Sequence, residues 1–333
     1  MNPPAQRSAP HWRWPAEAIW EAVAPQLPGF SVEVLQSTDS TNTELMRRAR
    51  AGCCEPVLLV AERQTAGRGR LGRSWHSAGP QPAGQGEGAG LPALTFSLGL
   101  PLAPVNWSGL SLAVGVSVAE SLQPQLPAPG SRTPRIGLKW PNDLWLQECA
   151  STGHTTHRKL GGILVETASM LGLPDGHGHG QGHAHDHGYG YGAAASVALR
   201  YVVVGVGLNV QTPVLDGAAL SVPPGSLQEL VPGDGGDMAL DALDAPAALL
   251  RVAAPLVAML QAFEGYGFEP MQPRFDRRDV LRGCTVLLSD GTSGVAHGVG
   301  ADGALMVWTA AGMQAVTSSD ISVRPAGRVP AAP

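Results

Sequence analysis

Apolar and polar residues alternate over 32–36, and the run ends in Ser37-Thr38-Asp39-Ser40-Thr41-Asn42. The pattern predicts a strand, Val32–Gln36, then a helix from about Thr43 to Ala51 that stops at Gly52. Thr41 and Glu44 have the spacing of a capping box, which sets the helix start. Apolar, β-rich runs predict strands at Pro56–Glu62 and Ala93–Leu98. Leu110, Val114, Val118 and Leu122 fall on one helical face, so Ser108–Leu122 reads as a helix. Further strands are expected at Ile136–Trp140, Leu160–Thr167 and Leu199–Val206, then a helix at Ala245–Phe263 and a shorter one near Pro270–Leu281.

After Arg282 the texture changes. Thr285–Leu288, Ser293–Val299, Leu305–Thr309, Gln314–Thr317 and Ile321–Val323 read as short strands, with Asp290-Gly291, Asp302-Gly303 and Ala311-Gly312 as turns between them. The expected fold class is α+β: a large mixed domain followed by a small β-barrel. The 43 glycines and 29 prolines are unevenly spread. Their clusters mark expected low-complexity insertions near 77–92, 147–157, 172–192 and 211–244, with another short loop at 124–134. The domain division read from this is an N-terminal extension over 1–29, a main domain over 30–282 and a terminal barrel over 283–326. Trp12, Trp14 and Trp20 suggest a short helix packing on the main domain.

Composition narrows the function classes. A chain of 333 residues has ample length for a core. The net charge of −5 argues against a general nucleic-acid binder. Cys53, Cys54, Cys149 and Cys284 lack metal-type spacing and fit free thiols in a reducing compartment. No signal-peptide pattern and no uninterrupted apolar run of about 18 residues is found, so a cytoplasmic protein with no membrane association is expected. His177, His179, His183, His185 and His187 alternate with small residues in one insertion. They are either metal ligands or a low-complexity loop, and no catalytic role is assigned to them.

The candidate chemistry lies in short motifs. Gln64-Thr-Ala-Gly67-Arg68-Gly69-Arg70-Leu71-Gly72-Arg73-Ser-Trp75 sets three guanidinium forks among glycines. This is either a site for a small anion or a solvated basic loop. Asp39-Ser40-Thr41-Asn42, at a helix start, offers hydroxyl and amide groups to a ligand or simply caps the helix. Lys139-Trp140-Pro141-Asn142-Asp143 brings charge and amide onto a fixed turn. Arg158-Lys159-Leu160-Gly161-Gly162-Ile163-Leu164-Val165-Glu166 starts an apolar strand with a lysine. That lysine could hold a carboxylate against a phosphate or act as a strand-edge gatekeeper. Asn209 closes Gly205-Val-Gly207-Leu-Asn209, where it reads a base edge or ends the strand.

These motifs, in this order and ahead of a small β-barrel, resemble the biotin–protein ligases, the biotin–[acetyl-CoA-carboxylase] ligase family. The resemblance runs over roughly residues 30–325 apart from the insertions. It implies a class II aminoacyl-tRNA-synthetase-like mixed sheet flanked by helices and an SH3-like terminal barrel. It also implies ATP-dependent biotinylation of one lysine of a biotin carboxyl carrier domain, in a biotin-dependent carboxylase, through biotinyl-5′-AMP with release of pyrophosphate. Biotin is then the substrate, with ATP and Mg²⁺.

By resemblance, Ser40, Thr41 and Asn42 line the ureido end of biotin, and Gln64 with Arg68-Gly69-Arg70 lies over biotin and phosphate. Lys159 bridges the biotin carboxylate and the α-phosphate, and Gly162, one of the paired glycines that admit close approach, belongs to the binding set. Asn142 and Asp143 lie near the phosphates, with Asp143 the Mg²⁺ contact. Trp75 covers adenine, Asn209 meets its edge, and Arg324 reaches toward ATP from the barrel. Lys159, Arg68, Arg70 and Asp143 are the expected catalytic set.

Leu71 stands where many relatives carry a basic residue. Only about 30 residues precede the first matching strand, so the monofunctional class without an N-terminal DNA-binding domain is expected. Monomer and homodimer both stay open. The rival readings are a lipoate-type ligase on the same fold and a non-catalytic biotin sensor.

Overall fold

The structure is a computed structural model of the whole chain, and it describes residues 12–75, 91–128, 131, 133–149, 155–170, 199–213, 222–230, 243–317 and 323–325. Its main body is a seven-stranded mixed sheet built from β1 (Ser31–Leu35), β2 (Val57–Ala61), β3 (Ala93–Leu102), β4 (Arg135–Lys139), β5 (Asp143–Cys149), β6 (Thr155–Ser169) and β7 (Arg200–Asn209). The strand order is β1-β2-β3-β7-β6-β5-β4, with β1 parallel to β2 and the other pairs antiparallel. Helices α1 (Ala16–Val23), α2 (Thr41–Arg50), α3 (Leu110–Leu122), α4 (Ala245–Tyr266) and α5 (Gln272–Asp276) flank it.

Strand periodicity separates the two faces. Leu94, Phe96, Leu98 and Leu100 of β3 and Val202, Val204, Val206 and Leu208 of β7 enter the large core, which α1, α3 and α4 also feed. On the other face α2 buries Leu45, Met46 and Ala49 against Val57, Leu59, Tyr201 and Val203. Beyond α2 that face carries Thr95, Ser97, Gly205, Gly207 and Asn209. Small and polar residues replace the aliphatic ones there, and a trough is left.

By length and composition alone α4 could cross a membrane, but it packs against α1, α3 and β3 with Leu249, Val252, Leu256 and Phe263 buried.

The terminal sheet contains β8 (Thr285–Leu288), β9 (Ser293–Val299), β10 (Leu305–Thr309), β11 (Gly312–Val316) and β12 (Val323–Pro325), in the order β11-β10-β9-β8-β12 and antiparallel throughout. It is joined to the main body by Trp140 Nε1, which donates to Gly303 O at 3.0 Å, and by Gln272 Nε2, which donates to Val299 O at 2.7 Å.

Several expectations are corrected. The α2 N-cap is Ser40, which accepts from Thr43 N–H; Thr41 is already helical and Glu44 pairs with Arg47 and Arg48. The stretch 147–157 is not a plain insertion, since β5 runs through 147–149 and β6 begins at 155. Leu144-Trp145-Leu146 carries a strand that the turn residues before it obscure. In place of a helix over 270–281, the chain makes a 3₁₀ turn and α5, and 278–280 then extends the sheet beside β4: Leu138 N–H donates to Arg278 O at 2.7 Å and Val280 N–H to Leu138 O at 3.1 Å. The insertion at 172–192 and most of 77–92 lie outside the described residues.

The N-terminal helix forms after Pro15, with Ile19 and Val23 in the core. Trp12 and Trp14 pack on that core, and Trp20 is half exposed.

Candidate active site

The trough is a cavity of about 610 Å³, and every candidate residue lines it except Arg324. Arg324 pairs with Leu287 through its backbone, and its side chain lies outside the described structure.

One end of the cavity is a polar network below the start of α2. Ser40, Thr41 and Asn42 are buried at 2 %, 3 % and 3 % exposure. Thr41 N–H and its hydroxyl reach Gln64 Oε1 at 2.8 and 3.2 Å. Ser97 Oγ, itself fully buried, lies 2.7 Å from Thr41 Oγ1 and donates to Asn42 Oδ1 at 2.6 Å. Asn42 Nδ2 donates to Glu166 Oε2 at 2.9 Å and to Leu164 O at 3.3 Å. Gly205 is required here, because a Cβ at that position would overlap the Asn42 amide. Ser97 was not singled out from the sequence, and Glu166 was quoted in its motif without a role. Each sits in a strand whose other residues read as core, and only their alternation hinted at the second face.

The centre is charged. Lys159 Nζ donates to Asp143 Oδ1 at 2.7 Å, and Lys139 Nζ lies 3.9 Å from Asp143 Oδ2. A Cβ on Gly162 would lie 3.6 Å from Asp143 Oδ1 and 3.9 Å from Lys159 Nζ, so this glycine forms the floor beneath the pair. Lys139 was quoted in its motif without a role, yet its ammonium sits 5.4 Å over the Trp145 ring and lines the same cavity. Asn142 spans the turn between β4 and β5 by donating from Nδ2 to Ile163 O at 2.8 Å, while its carbonyl accepts from Ile163 N–H at 2.9 Å.

The Gly/Arg segment forms another wall of the cavity. Gly69 N–H donates to Arg73 O at 2.7 Å and Trp75 N–H to Gly67 O at 2.8 Å, folding the run back on itself. Leu71 lies at its tip with φ 56° and ψ 36°, a left-handed conformation that costs a leucine about 1–2 kcal/mol. Arg68 and Arg73 are exposed and Arg70 is half-buried. Burial pulls the Arg70 guanidinium below its ordinary pKa, Asp143 opposes the shift and Arg73 adds to it; at neutral pH it stays charged. The Trp75 indole rests on Gly207, where a Cβ would come 2.6 Å from its ring, and its Nε1 is buried with no hydrogen-bond partner.

At the far end Asn209 Nδ2 donates to Lys159 O at 3.2 Å and to Gly225 O at 3.0 Å. Residues 222–230, part of the expected insertion at 211–244, therefore pack against the site: Val222 and Pro224 line it.

A second cavity, of about 600 Å³, opens at the start of α3 and shares only Arg70 and Pro141 with the first. None of the other candidate residues lines it.

A mixed sheet that presents two lysines and several arginines over a glycine floor, beside a closed hydroxyl–amide network, defines a protein built to hold small anionic ligands. Comparison with known proteins sharpens this. The model of the biotin/lipoate A/B protein ligase family matches residues 34–173. The biotin–[acetyl-CoA-carboxylase] ligase of Mycobacterium tuberculosis is 38% identical over 141 residues, 41% of this chain and 44% of that protein. The bifunctional ligase/repressor BirA of Escherichia coli is 30% identical over 288 residues, 85% of this chain and 70% of the relative. The structure of the Aquifex aeolicus biotin protein ligase in complex with biotin and ATP has the same fold, with a TM-score of 0.59 at 24% identity over 89% of this chain and 99% of that one. The chain belongs to the biotin/lipoate A/B protein ligase family.

Proposed function

We propose that this protein is a biotin–protein ligase: it joins biotin to one lysine of a biotin carboxyl carrier domain at the expense of ATP. The observation that carries this reading is the convergence of the separated motifs on one cavity, with Lys159 and Asp143 paired at its centre. In the first step a biotin carboxylate oxygen bonds to the α-phosphorus and the bond to pyrophosphate breaks, giving biotinyl-5′-AMP. In the second, the carrier lysine nitrogen attacks the acyl carbon, AMP leaves and the amine gives up a proton.

Both reactants of the first step are anions, so the main task is to neutralise their repulsion and hold them in line. Lys159 meets the biotin carboxylate and the α-phosphate; Arg68 and Arg70, with the Gly69 backbone, cover the phosphates; Lys139 adds a further cation. Ser40, Thr41 and Gln64 read the neutral polar ring of biotin, and Asn42 holds that end in shape. Trp75 supplies an aromatic face for adenine, Asn209 is assigned to its edge, and Arg324 of the barrel is assigned to ATP. Among the described residues no group of three metal-type side chains exists. Mg²⁺ is therefore best read as arriving on ATP, with Asp143, beside Asn142, the carboxylate in reach.

The same reading takes 1–29 as an extension, 30–282 as the catalytic domain and 283–326 as the barrel, in a cytoplasmic enzyme. Biotin-dependent exchange of pyrophosphate into ATP tests it. Exchange with biotin and none with lipoate is expected; the reverse would assign the chain to the lipoate-type branch, and no exchange with either would leave a biotin sensor.

A further inference from the structure

Residues 222–230 fall in a stretch whose composition marks an insertion, yet they are fastened to the lysine-bearing strand at two levels. Through the backbone, Lys159 N–H donates to Pro223 O at 2.8 Å and Gly225 N–H donates to Lys159 O at 2.8 Å. This pairing sets Val222 and Pro224 into the cavity wall beside Lys159. Through side chains, Arg158 Nη2 bridges two carboxylates, Glu229 Oε2 at 2.8 Å and Glu148 Oε2 at 3.1 Å. Arg158 precedes Lys159 and so points to the opposite face of β6. The other Glu229 oxygen accepts from Ser226 N–H at 2.8 Å, so one carboxylate joins the 226–229 turn to the arginine.

We propose that Arg158 is a positioning residue for the nucleotide: with Glu229 it clamps the 222–230 segment onto β6 and so builds the wall that ATP leans on. This rests on reading the cavity as the biotin and ATP site. The arginine touches neither substrate. It acts through the segment, whereas the biotin end is built by α2, β3, Gln64 and, farther along β6, Leu164 and Glu166. The clamp is partly exposed, with side-chain exposures of 29% for Arg158 and 25% for Glu229, so its effect is moderate.

The test is steady-state biotin-dependent ATP–pyrophosphate exchange on the full chain for Arg158→Ala, Arg158→Lys, Glu229→Gln and the Arg158→Ala/Glu229→Gln pair, each first shown to be folded by its melting curve. For Arg158→Ala, KM for ATP should rise about tenfold while kcat and KM for biotin stay within about twofold. Arg158→Lys should recover part of the loss. Glu229→Gln should reproduce the defect for ATP alone, and the double variant should be no worse than the worse single one, because both cut one bridge. An unchanged KM for ATP in folded Glu229→Gln overturns the proposal. So does a fall in kcat, or a loss of biotin affinity, as large as the change for ATP. Should Arg158→Ala fail to fold, Glu229→Gln decides alone. A wild-type chain with no biotin-dependent exchange would defeat the ligase reading itself, and the clamp would fall with it.

Discussion

Lys159 shows how one side chain can be placed by its neighbours before any ligand enters. Asp143 holds its ammonium at 2.7 Å, Gly162 leaves room beneath it, and the 222–230 segment fixes its backbone on both sides. Lys159→Ala is expected to lower biotin-dependent exchange by at least about a hundredfold. The melting temperature should change little, since the side chain is 38% exposed and fills no core. Near-normal exchange would remove Lys159 from the mechanism. Gly205→Ala makes the complementary test at the other end. Its new Cβ would displace the Asn42 amide, so KM for biotin should rise at least about tenfold while KM for ATP is unaffected.

At the scale of elements, the sequence made the motifs visible and their supports much less so. The Gly/Arg run, Lys139 to Asp143 and Lys159 to Glu166 are contiguous, and residue type alone identified them. Ser97 and Glu229 could not be found that way, nor could the role of Glu166 at the end of its motif, because each becomes polar partner to a residue 55 to 124 positions distant or to a turn hidden in a Gly/Pro-rich stretch. Trp140 shows the opposite case. It lies in the most site-like motif, yet its ring is buried and its indole N–H bonds the terminal sheet. The strand at 143–149 was obscured because Pro141 and Asn142 read as the end of one strand, whereas they turn directly into the next. The Gly/Arg segment is held by few backbone bonds and carries a leucine in left-handed conformation at its tip. Biotin should therefore order it, and limited proteolysis should show cleavage within 65–75 suppressed by saturating biotin. Equal cleavage with and without biotin would rule out a closing loop.

Across the whole molecule, the junction between the two sheets carries a pH-sensitive group. Asp279 is 7 % exposed, its Oδ1 accepts from Leu281 N–H at 2.8 Å, and its Oδ2 is buried without a partner. Burial raises its pKa to about 6; the neighbouring Asp276 adds to the shift and Arg282 and the backbone bonds oppose it. The folded chain then binds a proton more readily than the unfolded one. Stability at this site is greatest below the unfolded value of 3.8 and is lost as pH rises through about 6, by about 3 kcal/mol in all. Asp279→Asn should raise the melting temperature at pH 8 and leave it nearly unchanged at pH 4, as read by thermal denaturation. A variant less stable at pH 8 would show that the carboxylate is needed there in its charged form.

The strand order has a consequence for how the protein is made. β7 lies between β3 and β6, although those strands leave the ribosome well before it. Until residues 200–209 emerge, the growing chain holds two half-sheets with a gap where their central strand belongs. Neither the large core nor the glycine floor of the cavity can close before that point. Such late, long-range closure slows folding and exposes strand edges during synthesis. Chains released before residue 200 should therefore be aggregation-prone fragments rather than partly active enzymes.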